Sequence, residues 1–287
     1  MLFLLAAGLT LVFGIMDMIN LAHGSLYMLG AFLASTFVAL TGSFTAGVLL
    51  AIPATALLGM LLEVFLLRSL YQRDHLSQVL ATFALILILN EVVRLVWGSD
   101  ASLPMPAALA GPVQILPGLP YPAYRLVIIA VGLLIAFLLY VLVTKTKVGM
   151  LVRAGASNRE MALAMGVNIK LLFTLVFGAG AALCAVAGAM LAPLFAVQVG
   201  MGENILILAF VVIVIGGIGS IRGALVGAVL VGVVDTIGRA FLPILFGLVF
   251  QPRVASAAGP AIASVSIYLL MAVILYFKPK GLFPARG

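Results

Sequence analysis

Apolar runs of bilayer length alternate along this chain with short polar breaks. A membrane crossing needs about 20 mainly apolar residues. Runs meeting or approaching that length fall at roughly 2–16, 20–41, 44–67, 76–97, 123–144, 172–194, 203–218, 223–247 and 260–277. The pattern predicts an all-α, polytopic membrane helix bundle of about eight to nine transmembrane segments, with the shortest runs as candidate half-helices. No linker or low-complexity tract divides it, so residues 1–287 read as a single transmembrane domain. Between 98 and 122, Pro104, Pro106, Pro112, Pro117, Pro120 and Pro122 forbid a regular helix.

The polar breaks orient the bundle, because Lys and Arg concentrate in cytoplasmic loops. Arg68 and Arg73 mark one such loop; Lys145, Lys147, Arg153, Arg159 and Lys170 against Glu160 mark a second; Lys278, Lys280 and Arg286 mark the tail. The three clusters agree in parity. The 98–122 link, with Asp100 and no basic residue, falls on the other side, as does 195–203. The same count places the N-terminus outside, with a first span slightly short for a bilayer.

The 145–170 segment is more than a linker. Ser157-Asn158-Arg159-Glu160 fits the S-x-x-E capping box, in which the Ser157 hydroxyl and Glu160 carboxylate satisfy amides at a helix start. Met161 to Met165 continue as good helix formers, and Gly166 supplies a left-handed stop. A short preformed helix facing the cytoplasm suits the docking of a soluble partner.

Composition narrows the class. Hydrophobic residues make up 65% of the chain and charged residues 8%, against roughly a quarter charged in soluble domains. The net charge of +7 resides mainly in loops and the tail, which reads as topology and not as nucleic-acid binding. A single cysteine, Cys184, excludes an intrachain disulfide and a cysteine metal site. No metal-binding pattern, Walker loop, H-E-x-x-H or G-x-S-x-G is present, so neither nucleotide cradling nor hydrolytic chemistry is expected of this chain. No cleavable signal peptide is recognised at the N-terminus.

Two polar islands interrupt apolar sequence. Asp17 to Ser25 contains Asn20, His23, Gly24 and Ser25; Gly216 to Gly223 contains Gly216-Gly217 and Ser220. Irregular backbone at membrane depth survives only when buried in protein or lining a cavity, and paired interruptions point to a transport path made of discontinuous helices. The alternative is that both are ordinary interhelical turns. His23 reads either as a neutral imidazole capping a helix end or as a substrate contact. Asn90, Glu91 and Arg94 form a further intramembrane polar group; Glu91 and Arg94 are spaced to neutralise each other, as are Asp235 and Arg239. Small residues through 178–188 and 223–232 suit close helix packing in lipid.

Several stretches, taken together, are familiar. Gly8 to Phe32 (GLTLVFGIMDMINLAHGSLYMLGAF), ATFALILILNEVVRLVWG at 81–98, VRAGASNREMALAMGVN at 152–168 and VIGGIGSIRGALVGA at 214–228 closely resemble the branched-chain amino-acid ABC transporter permeases of the LivH type. The resemblance covers nearly the whole chain. It implies the ABC importer permease fold in the cytoplasmic (inner) membrane, surrounded by lipid. It also implies a second, LivM-like permease subunit, two cytoplasmic ATPase subunits that use ATP and Mg, and an extracytoplasmic substrate-binding protein; no cofactor is expected on this chain. By position, Arg153, Ser157, Asn158, Arg159, Glu160 and Gly166 match the ATPase-coupling loop, and Asn20, His23, Gly24 and Ser25 match a broken-helix motif near the translocation path, to which the second island adds Gly216 and Gly217. Related permeases carry additional apolar residues before the position of Leu5, so the first helix is expected to be a shortened version. Similar permeases serve branched-chain amino acids, urea or short amides, or aromatic acids. An ion-coupled secondary transporter using Glu91, Asp235 or His23 is the rival reading.

Overall fold

The computed structural model of the chain describes residues 1–18, 20–116, 119–248 and 251–283. Pro117 and Arg286 lie outside these, as does Ile19 in the first island. Among the described residues, seven helices are long and apolar enough to cross a membrane, and two more are apolar but shorter. The chain divides into two compact units, 1–206 and 207–287.

In the first unit, α1 (Leu2–Met16), α2 (His23–Thr41) and α3 (Phe44–Phe65) are followed by a short 3-10 turn, Leu67–Leu70, and by α4 (His75–Trp97). The proline-rich link then forms β1 (Asp100–Ala101), a 3-10 turn at Ala107–Leu109, β2 (Pro112–Leu116) and β3 (Leu119–Pro122), as expected of a segment whose prolines forbid a regular helix. The chain continues as α5 (Ala123–Lys145), α6 (Lys147–Ser157), α7 (Arg159–Ala164), α8 (Ile169–Leu191), β4 (Val197–Gln198) and the start of α9 (Met201–Gly216).

Helix α8 is the axis of this unit, with α1, α2 and α3 packed around it. Small residues permit the approach. A Cβ on Gly30 would lie 2.4 Å from the Ala185 Cα, and one on Gly188 would lie 2.2 Å from the Tyr27 carbonyl oxygen. In lipid, where burial of apolar surface gives helices no drive to associate, such backbone contact is the main source of cohesion.

The two ends of the unit differ in charge, as the loop pattern predicts. At one end β1 pairs antiparallel with β4, Asp100 opposite Gln198, and the Trp97 indole N–H donates to Thr36 Oγ1 at 2.7 Å. At the other end the basic 3-10 turn meets the start of α8, where Arg68 Nη2 donates to Thr174 Oγ1 at 2.8 Å.

In the second unit, α10 (Ile221–Gly247) and α11 (Pro252–Phe277) form a hairpin joined to the end of α9 by the Gly216–Gly223 turn. Ser220 caps α10 by accepting from the Gly223 N–H at 3.1 Å, and Gly217 and Gly219 take φ of +104° and +80°. The tail lies on that turn: the Leu282 and Phe283 N–H groups donate to the Ile215 and Gly216 carbonyls at 2.9 and 2.8 Å. Locally, the second island is a turn between α9 and α10. Asp235 accepts from Arg239 Nε at 2.8 Å, and Arg239 Nη2 donates to Ser264 at 3.1 Å.

Candidate functional site

The basic segment folds as an elbow. Thr146 caps α6 through the Gly149 N–H at 3.1 Å, and the Arg153 guanidinium donates to the Val143 carbonyl, locking α6 against the end of α5. Gly155 faces inward on Leu172, Ile169 and Ile15, so α6 rests on the bases of α8 and α1. One residue then separates α6 from α7. The cap of α7 is Asn158, whose Oδ1 accepts from the Met161 N–H at 2.9 Å. Ser157 instead ends α6, which corrects the capping-box reading by one position. Both residues are good caps; Ser157 is already committed as the last residue of the preceding helix.

Gly166 takes φ of +83°, and the Val167 N–H returns to the Ala162 carbonyl at 3.0 Å, stopping α7 as expected. Asn168 then caps α8 through the Leu171 N–H at 3.1 Å. Helix α7 is thus bound to α8 through two consecutive caps. It presents Met161, Leu163 and Met165 to solvent, with Met165 79% exposed, beside the exposed Glu160. Arg159 opens α7; its side chain lies outside the described groups.

Just above the elbow is a cluster that sequence reasoning missed. Glu63, in the last turn of α3, is fully buried, yet its carboxylate accepts from Arg68 Nε (3.2 Å) and Nη2 (3.0 Å), the Tyr71 hydroxyl (2.6 Å) and the Thr174 hydroxyl (2.6 Å). The Tyr71 ring sits edge-on to Phe173, and its hydroxyl reaches Met16 Sδ at 3.8 Å. The cluster therefore joins α3, α8 and the end of α1. Arg68, outside the spans, is held above its ordinary pKa first by its hydrogen bond to Glu63. An acid within an apolar helix was the available signal; its partners on α8 were not visible.

The first island re-enters the bundle. Asp17 ends α1 in the left-handed region with φ of +51°. Asn20 is fully buried, and its Oδ1 accepts from the Ala22 N–H at 3.0 Å, turning the chain into α2. His23 is the first residue of α2 and is buried, with Nε2 3.0 Å from Cys184 Sγ. It packs against Gly8 and Gly180, near the midpoints of α1 and α8, so α2 begins deep in the bundle. Ser25, in the first turn, is also buried.

The neighbour of this helix start is the beginning of α9. A Cβ on Gly24 would lie 2.4 Å from the Gly202 carbonyl oxygen, and one on Gly202 would lie 2.0 Å from the Gly24 carbonyl oxygen. The segment before α9 descends from the opposite end, held by β4 and by the Gly200 N–H donating to Met28 Sδ at 3.4 Å. Two re-entrant helix starts thus abut through glycine. The partner of the first island is 200–203, a break that hydropathy shows only as an outer link.

That contact brings Glu203 beside α4. Asn90 Nδ2 donates to Glu203 Oε1 at 2.8 Å, while Arg94 donates to Glu91 at 2.8 Å with both side chains more than half exposed. Glu91 and Arg94 meet as their spacing suggests, while Asn90 pairs instead with Glu203, 113 positions away.

The family described as "Branched-chain amino acid transport system / permease component" matches residues 1–277. The chain is 30% identical to the high-affinity branched-chain amino acid transport system permease protein BraD of Pseudomonas aeruginosa, over 97% of this chain and 90% of that protein. It is 30% identical to LivH, the high-affinity branched-chain amino acid transport system permease protein of Escherichia coli strain K12, over 83% of this chain and 82% of the relative. A probable branched-chain amino acid transport permease protein LivH of Methanocaldococcus jannaschii is 29% identical over 87% and 81%. No solved structure matches the chain.

Proposed function

The chain belongs to the permease-component family of branched-chain amino acid transport systems, a family of multi-pass membrane proteins, and on that premise we propose that it is the membrane permease subunit of an ABC importer for branched-chain amino acids. A second permease subunit completes the pathway, an extracytoplasmic binding protein delivers substrate, and two cytoplasmic ATPase subunits supply the energy. This chain performs no bond chemistry. Its work is to convert a push from below into alternating access.

The observation that carries the reading is the elbow. Helix α7 and its C-cap expose the apolar side chains of Met161, Leu163 and Met165 on a segment rich in Lys and Arg, and α7 is bound at its far end to α8, the axis of the first unit. A soluble partner gripping α7 moves the first turn of α8. The Glu63 cluster, reaching from Thr174 to α3 and Met16, carries that displacement to α3 and α1. Burying an ion pair adds little stability relative to apolar packing of the same volume. Its value in this reading is fixed register between helices that must move together.

The reading is tested by reconstituting the chain with its partner subunits in proteoliposomes. Uptake of leucine is expected to require ATP inside the nucleotide-binding compartment and loaded binding protein outside. Uptake driven by a sodium or proton gradient in the absence of the ATPases would overturn it in favour of a secondary transporter.

A further inference from the structure

Among the described residues, the Glu203 carboxylate is paired with no Lys or Arg. Among the described residues its one hydrogen-bond partner is Asn90, whose amide donates to Oε1 at 2.8 Å. The nearby arginine is engaged: Arg94 pairs with Glu91 at 2.8 Å. The Asn90–Glu203 pair therefore carries one negative charge that, among the described residues, no Lys or Arg neutralises.

Its depth makes that charge informative. Asn90 is seven residues before Trp97, the last residue of α4, which places it about 10 Å below the helix end at 1.5 Å per residue. The adjacent Gly202 packs on Gly24, next to His23, which sits at the level of Gly180, the twelfth of the 23 residues of α8. Glu203 thus lies within the outer half of the hydrocarbon zone, and its side chain, like that of Asn204, is exposed. An ionised side chain at this depth does not face lipid; such residues line water-filled paths or meet a counter-charge. Glu203 stands in the first turn of α9, where the helix N-terminus favours a negative charge.

Resting on the permease reading above, we infer that Glu203, oriented by Asn90, is the subsite that receives the ammonium group of a zwitterionic substrate on its way through the outer half of the bundle. The carboxylate supplies acceptors only, and one of its oxygens remains open for an N–H donor. The same charge disfavours carboxylic acids without an amine and gives no advantage to neutral amides. Asn90 is a positioning residue, fixing the rotamer of Glu203 through its amide.

The test uses the assembled transporter in proteoliposomes, with loaded binding protein at saturation. Glu203→Gln is expected to lower the maximal rate of leucine uptake at least tenfold, with the thermal midpoint and co-purification of the ATPases as in wild type, and Glu203→Asp to recover at least a third of the rate. Separately, dicyclohexylcarbodiimide is expected to label Glu203 in the wild-type complex, read by mass spectrometry, with labelling slowed by millimolar leucine or leucine amide but not by 4-methylpentanoate or sodium chloride. Uptake by Glu203→Gln within twofold of wild type would overturn the inference, as would a parallel loss of thermal midpoint, or equal protection by 4-methylpentanoate or sodium. Where the Gln variant does not insert, the labelling result decides alone. Failure of the wild-type complex to carry any amino acid would sink the permease reading itself.

Discussion

Substituting Glu63→Gln tests the buried cluster by removing one charge at nearly constant volume. The carboxylate accepts from Arg68, Tyr71 and Thr174 at 2.6–3.2 Å, and a hydrogen bond to a charged group contributes about 1.5–3 kcal/mol. The loss is partly offset. Arg68 is 32% exposed and can turn to water, and the Thr174 hydroxyl can donate to the Lys170 carbonyl, 3.0 Å away, instead. The net cost is about 2–3 kcal/mol, or roughly 5–10 °C in thermal midpoint for a chain of this size. Heating the detergent-solubilised protein and following its monodisperse fraction by size exclusion measures it. A double-mutant cycle with Thr174→Val isolates the contact between α3 and α8, with an expected coupling of about 1–2 kcal/mol. Additive single effects, or a Gln variant within one degree of wild type, would refute the assignment of the cluster as the tie between these helices.

Other perturbations follow from the same geometry. Asn158→Ala removes the cap of α7 and is expected to cost about 1 kcal/mol of local helix stability, seen as faster amide exchange over 159–164 and reduced coupled uptake with normal membrane insertion. Gly166→Val forces a β-branched residue to φ of +83°, costing at least about 1–2 kcal/mol; ATP hydrolysis without matching uptake is the expected result. Gly30→Val drives a side chain into Ala185 and is expected to abolish accumulation of folded protein in the membrane, whereas Gly232→Ala, with open space around its Cα, leaves it unchanged. Asp74 is held below the usual carboxylate range by the Ser77 hydroxyl at 2.6 Å and N–H at 3.1 Å. Because its folded pKa is the lower one, its contribution is present at neutral pH and lost as pH falls through that value, so the midpoint difference between wild type and Ser77→Ala is expected to shrink in acid.

The helices were legible because lipid enforces long apolar runs. Predicted and observed bounds for α4, 76–97 against His75–Trp97, differ by one residue. They slip where capping and hydropathy disagree: α8 begins at Ile169 and not 172, because Asn168 caps it while Lys170 lowers the local hydropathy. Within the elbow the left-handed stop at Gly166 was also readable. What escaped was pairing at a distance. Nothing near Glu63 announces Thr174, 111 positions away, and nothing in the 192–203 link announces that Gly202 would meet Gly24. Such contacts are fixed by which helix faces close on each other, and glycine spacing alone does not specify the partner.

The most direct test of the central claim, that energy enters through α7, uses the fact that the single native cysteine, Cys184, is buried. With Met161→Cys in the assembled transporter, the account predicts thiol labelling from the cytoplasmic face alone, cross-linking to an ATPase subunit, and ATP-driven uptake that stops on cross-linking and returns on reduction. Labelling from the extracytoplasmic face, or undiminished uptake with the cross-link in place, would contradict it.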